Sequence, residues 1–542
     1  MSETSTGMNN NQNELNADAT VTIESENQDI QQNPCTFTTL EIIFAWISLA
    51  AGYLFCRVFP VATSPLGGFI FILLLFAVTV IVIKIKGASF TAIPIIVAIS
   101  AIISAFSLIF SGNSFLHSLS YMYCVAAYCY FLYAVNGNSL EKGFSDFLIV
   151  DFFKALFVLP FYSFEFLFKA LFAGKARKGG ELFLKILLGI GITIVPTIVV
   201  FSLLSYDESF TRLLSDILDF NFLDVFSHII SLGFGIPIGM YLFGLFVSSS
   251  DNKCSDIITV NSCREASCRI KVVPIPTVLV AVTPLILVYV IFFISQWQYY
   301  VSAFSGVLPE GFIYSDYARE GFFQLCTVSI INLIIIVCVA LFMRRCDGRP
   351  SALFKVLAIL FSVFTLILIS TAVAKMVMYI DCYGLTQRRL YATWTMAILA
   401  IVFVLIILWQ FIPKIKIITA SLSVCVILFT VLSLSNADAL IARYNIDRYL
   451  DNTLNTVDIK AMDDLGDAAI PELVRLAEAL DERNGTNIKT VNLKYCKDEV
   501  YKELVTKLRE YAIRIEYNDE SVFSFTIPSQ RAKNALKRVS LI

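Results

Sequence analysis

Runs of about twenty apolar residues recur from Thr39 to Ser435, and no other feature restricts the fold of this chain so severely. An α-helix of that length crosses the roughly 30 Å hydrocarbon core of a bilayer. Within that core every backbone N–H and C=O must be paired inside its own helix or around a closed barrel. The runs are continuous and lack the roughly 10-residue alternation of membrane barrels, so they predict helices. Composition agrees, with 57% hydrophobic residues and a mean hydropathy of +0.75 over 542 residues, against roughly 45–50% apolar in soluble domains.

The runs lie near 39–59, 66–84, 91–110, 115–135, 182–204, 225–249, 276–297, 320–343, 352–374, 392–412 and 415–435. The expected fold class is therefore an all-α polytopic membrane bundle of about eleven transmembrane helices, occupying 37–435. Residues 144–173 are Phe-rich but carry Asp146, Asp151, Lys154, Glu165 and Lys169. A spanning helix would bury these charges at a cost, whereas an amphipathic helix in the interface keeps them wet, so an interfacial helix is expected. The same reading applies to 207–220, where Phe210, Leu213, Leu214, Ile217 and Leu218 oppose Arg212, Asp216 and Asp219.

Residues 1–36 are polar, contain no Lys or Arg and are expected to be disordered. No basic n-region precedes a short apolar core there, so the first membrane helix is expected to serve as an uncleaved targeting signal. From 436 to 542 the composition becomes that of a small soluble domain, α or α+β. Asp458 to Leu480 reads as two short helices, the second begun at Pro471. Asp498 to Ile515 reads as an amphipathic helix with Val500, Leu504, Leu508 and Tyr511 on one face, and 492–495 and 522–527 as strands.

Lys and Arg concentrate in the loops after spans two, four, six, eight and ten, among them Lys84, Lys86, Arg264, Arg344 and Lys416. Positive loops stay inside, which places the N-terminus in the cytoplasm and the tail outside. The net charge of −2 and the absence of a basic stripe argue against nucleic acid as a partner. The bilayer is the expected partner, with other membrane proteins as further candidates.

Candidates for chemistry are sparse. His117 and His228 are the only histidines, on different spans and outside any metal-binding pattern. The thirteen cysteines form no CxxC pair, and Cys254, Cys263 and Cys268 are too irregularly spaced for a zinc set. No nucleotide loop or nucleophile elbow appears, and no cofactor or enzymatic activity is expected. Pro196 and Pro237 interrupt spans, while Gly233, Gly235 and Gly239 suit close helix packing.

One stretch differs, 314–391. Asp316, Arg319 and Glu320 stand at the mouth of a span whose interior holds Asn332. Lys375, Tyr379, Asp381, Arg388 and Arg389 flank the next two spans, with Lys375 and Tyr379 one helical turn apart. Charges at a low-dielectric boundary favour pairing, and Arg319 or Arg388 are the expected partners of Asp381 or Asp316. Three readings of the cluster stay open: structural pairing, an ion or proton pathway, and recognition of a lipid headgroup or wall component.

The runs YSDYAREGFFQLCTVSIIN from Tyr314, MVMYIDCYGLTQRRLYATW from Met376, and ARYNIDRYLDN from Ala442 with DLGDAAIPEL from Asp464 resemble a family of bacterial multi-pass membrane proteins. That family is domain of unknown function 4173, a close relative of domain 4153, and the resemblance covers roughly 180–480. It implies a bacterial inner or plasma membrane location and supplies no activity. Function is thus expected to be that of a non-enzymatic scaffold, sensor or accessory protein of the cell envelope. The competing reading is a transporter or channel lined by Arg319, Glu320, Asn332, Lys375, Asp381 and Arg388.

Overall fold

A computed structural model describes residues 37–58, 64–87, 90–141, 143, 145–172, isolated positions between 189 and 207, 222–250, 258–295, 314–344, 352–491, 498–517 and 522–541. The expectations for the N-terminal 36 residues, for the fifth apolar run and 207–220 as whole helices, and for a strand at 492–495 lie outside the described residues.

Ten helices among the described residues are long and apolar enough to cross a membrane. Four come first: α1 (Thr39–Val58), α2 (Pro65–Ile85), α3 (Ala92–Phe110) and α4 (Ser114–Val135). A broken segment follows, made of α5 (Leu148–Phe153), a π-turn (Lys154–Val158), α6 (Leu159–Tyr162) and α7 (Phe166–Leu171). The chain continues with α8 (Phe222–Ser250), the short polar α9 (Val260–Ile270), α10 (Ile275–Ser295) and α11 (Tyr314–Phe342). Then come α12 (Ala352–Tyr383), α13 (Gln387–Phe411) and α14 (Ile417–Leu434).

α12 and α13 reach farther than hydropathy alone indicates. Polar residues at 375–391 extend the two helices toward each other until only 384–386 separate them, because helix propensity continues where apolar character stops. The break is chemical: Gly384 adopts φ +76°, and Thr386 caps α13 by accepting from Arg389 N.

The membrane helices enclose two cores. The first joins α1–α8 through Phe44, Phe76, Tyr128, Phe131 and Phe246, and the second joins α10–α13 through Phe322, Phe361, Met376 and Phe403. Antiparallel α1 and α8 come within backbone contact. A Cβ on Gly52 would lie 2.7 Å from Gly239 N, and one on Gly235 would lie 2.8 Å from Tyr53 Cα. Dispersion between close backbones drives such packing where lipid removes the hydrophobic incentive.

Of the five charges expected to stay wet at 144–173, Asp146, Glu165 and Lys169 are exposed and two are buried. Asp151 and Lys154 are each 2% exposed, packed against Tyr133 of α4. Asp151 accepts from the Tyr133 hydroxyl at 2.7 Å and Leu140 N at 3.2 Å, while Lys154 Nζ donates to Ile258 O at 3.2 Å. Burial nevertheless holds the Asp151 carboxyl above the usual range, against the Tyr133 and Leu140 hydrogen bonds and the Lys154 charge. Amphipathicity did not reveal this, since tertiary partners at 133, 140 and 258 satisfy the charges.

Beyond α14 the chain forms α15 (Ala437–Leu450), α16 (Ile459–Asp463), α17 (Ile470–Asn484), α18 (Glu499–Tyr517) and α19 (Ile527–Arg538). Pro471 occupies the first turn of α17, where its missing N–H costs nothing. Leu473, Leu476, Leu504, Leu508 and Leu536 meet in a third core. The strand expected at 522–527 is replaced by a 3₁₀ turn at Val522–Ser524 and the start of α19, whose cap is Thr526 accepting from Ser529 N. Among the described residues the tail is all-α. Its core also takes in Leu385 and Leu390 of the membrane part.

Candidate functional site

Two sets of helix ends gather charge at opposite ends of the bundle. At one end Lys86 pairs with Glu41 at 2.9 Å, while Glu141 meets Arg264 at 3.3 Å and Lys416 at 3.4 Å. At the other end, Arg57 donates to Ser227 at 2.7 Å and Tyr53 meets His228 at 2.6 Å. This second end also carries the α12–α13 turn and the tail.

The runs at 376–394, 442–452 and 464–473 converge at that second end. Asp381 pairs with Arg448 at 3.3 Å. Asn445 receives Leu385 N and donates to Leu385 O, both at 2.7 Å, reading the turn's backbone as a paired strand would. A Cβ at Gly384 would lie 2.5 Å from Asn445 Oδ1. Gln387 donates to Asp438 at 2.8 Å and reaches Asp464 O at 3.5 Å. Asn113, which caps α4 by accepting from Leu116 N at 3.1 Å, donates to Asp438 at 3.1 Å.

Asp438 is thus the node, 2% exposed and held by amides from two membrane helices' ends. Burial raises its pKa, and the Gln387 and Asn113 hydrogen bonds pull it partly back. Neither Asn113, Gln387, Asp438 nor Asn445 was singled out in the sequence. A lone amide or carboxylate at a helix end gives no local sign of a partner three hundred residues away.

The predicted cluster is distributed differently from expectation. Asp381 is paired with Arg448 of α15 and not with Arg388, because the tail folds over this end and supplies a cation there; the expected partner Arg319 lies outside the described side chains. Arg388 is exposed. Arg389 folds back to donate to Tyr383 O at 3.0 Å and to Gly384 O, satisfying carbonyls at the end of α12, and its guanidinium lies 4.0 Å from the Tyr379 ring centroid. Lys375 is buried on α12 at 9% exposure. Asp316, Arg319 and Glu320 lie in the first turns of α11, and their side chains fall outside the described residues.

Asn332 stands apart from the charges. It is fully buried between three spans, accepting from the Tyr289 hydroxyl and donating to Thr365 Oγ1 at 2.9 Å. Thr365 in turn donates to Phe361 O at 2.6 Å. This chain ties α10, α11 and α12 together in the hydrocarbon zone. His117 Nε2 lies 2.7 Å from the carbonyl Ser111 O, which can only accept, so Nε2 is the protonated nitrogen. Among the described residues no group of three or more His, Cys, Asp or Glu is placed to hold a metal ion.

Helices of this length and apolarity, with buried polar ties between them and a tail docked on one end, define a multi-pass helical membrane protein. The chain belongs to the family described as Domain of unknown function (DUF4153), which matches residues 95–476. The match begins well before residue 180, where the resemblance read from the sequence begins. No curated protein and no solved structure matches the chain.

Proposed function

We propose that this is a bacterial cell-envelope membrane protein that performs no chemistry of its own and serves as a scaffold, sensor or accessory subunit. The observation carrying this reading is the use to which the polar residues of 376–394 are put. Asp381, Leu385, Gln387 and Arg389 are engaged in closing the α12–α13 turn and docking the tail. The three resembling runs also support kinship with domain 4173 and with it a bacterial origin.

The orientation proposed places the Lys86–Arg264–Lys416 end in the cytoplasm and the tail outside, following the positive-inside bias. α4 ends at the first of these ends, beside Glu141, and α8 begins at the other, beside Arg57. The bilayer and neighbouring membrane proteins are the proposed partners; neither nucleic acid nor a cofactor enters this reading.

Photo-crosslinking from Leu440 and Ile513, exposed on the tail helices, tests the proposal in cells. Discrete membrane-protein adducts that weaken when Asn445→Ala undoes docking are expected. Solute or ion flux through reconstituted vesicles that depends on Asn332 and Lys375, without discrete adducts, would establish the transporter reading instead.

A further inference from the structure

Between α1, α2, α4, α8 and the broken segment lies a cavity of about 340 Å³. Its wall is aromatic, with Phe71, Phe76, Tyr121, Tyr128 and Tyr241 among its rings, and Phe161 of the broken segment lines one side. The wall is almost wholly apolar, and the cavity is partly open to the outside of the bundle. Three polar groups on its wall are spent elsewhere. The Tyr128 hydroxyl meets Thr79 at 2.9 Å, the Tyr241 hydroxyl donates to Leu156 O at 2.9 Å, and the Cys124 thiol donates to Ala101 O at 3.2 Å.

Water needs two to four polar partners to occupy a cavity, and a hydrogen-bonding solute would leave its own groups unpaired here. The volume is nevertheless within the range of small-molecule sites rather than of packing defects. Leu74 and Met122, next in sequence to wall residues, are exposed on the outside of the helices, where the surrounding solvent is hydrocarbon. The broken segment that flanks the site includes a π-turn and Pro160 just before Phe161.

We propose that this cavity binds the hydrocarbon chain of a membrane lipid, one acyl chain entering from the bilayer between the helices while its headgroup stays at the interface. The site discriminates by the apolar character of its wall. Tyr128 is 1% exposed and faces the cavity, so lipid at the bundle surface does not reach its ring.

The full chain, reconstituted in phosphatidylglycerol–phosphatidylethanolamine vesicles containing a phospholipid with a diazirine on its acyl chain, is irradiated and its adducts mapped to single residues. Adducts are expected at Tyr128 and Tyr241 as well as at surface Met122. Val125→Trp, which fills the cavity, is expected to reduce the first two at least fivefold and leave Met122 unchanged; Ile238→Phe is the smaller filling variant should the first fail to fold. Wild-type protein labelled at Met122 but not at Tyr128 or Tyr241 overturns the proposal, as does cavity labelling that persists in a folded filled variant.

Discussion

Asn113 and Asp438, 325 positions apart, meet in a buried hydrogen bond of 3.1 Å that fixes the tail's first helix to the cap of α4. Gln387 donates to the same carboxylate from the start of α13. Removing the carboxylate strands both amides, and an unsatisfied buried donor costs about 1–3 kcal/mol. Asp438→Ala is therefore expected to lower the unfolding temperature of the detergent-solubilised protein. Asn113→Ala combined with it should add less than its own single effect; strict additivity in a double-mutant cycle would mean the contact carries no energy.

The same node has a pH signature. Asp438's folded pKa is raised above its unfolded value, so the folded state binds more protons between the two. Its contribution to stability is fully present below the ordinary carboxylate range and is lost as pH rises through the raised value. Thermal unfolding followed upward from pH 4 should show this decline at the tail. Asp438→Asn, which does not titrate, should flatten that component, leaving the slope from Asp151, whose pKa is raised in the same direction.

Gly384 and Gly485 share positive φ, +76° and +62°, but not surroundings. A Cβ at Gly384 would press on Asn445 Oδ1, while one at Gly485 would meet nothing within 4 Å. Gly485→Ala is expected to cost only the left-handed backbone term, about 1 kcal/mol. Gly384→Ala should cost distinctly more and expose the tail to limited proteolysis. Equal effects on melting temperature would show that the Asn445 clamp tolerates displacement.

Tight packing of α1 on α8 makes Gly52→Leu a severe change, since backbone and not a flexible side chain stands in the way. Loss of the folded protein from the membrane fraction is the expected outcome. Gly67→Ala, whose nearest neighbour would be Ser64 Cβ at 3.4 Å, should accumulate normally.

Asn332→Ala leaves the Tyr289 hydroxyl and Thr365 without their amide partner. Interhelical hydrogen bonds in membranes are worth about 0.6 kcal/mol on average and up to ~1.7. A modest drop in thermal stability is expected, restored in part by Asn332→Gln only if the longer amide reaches both partners.

Much of the membrane architecture was legible because its cause is local. Hydrocarbon forbids unpaired backbone, so a run such as Ile275–Ser295 becomes a helix whatever its neighbours do. The tail helices were legible for a related reason: Leu504, Leu508 and Tyr511 repeat at helical spacing and do meet one core. The segment at 522–527 misled because short apolar stretches fit a strand or a turn equally, and Thr526 capping α19 decides it.

Sequence alone determined, then, that this chain is a helical membrane protein with a tail of different composition, and marked 314–391 as a stretch whose charges need partners. Tertiary structure decided which partners those are. Arg448 rather than Arg388 meets Asp381, Asn445 clamps the Gly384 turn, and Asp438 joins α4, α13 and α15. The reason is physical: helix formation is fixed by residues three and four apart, whereas the satisfaction of a buried polar group depends on whatever the fold carries to within hydrogen-bond distance.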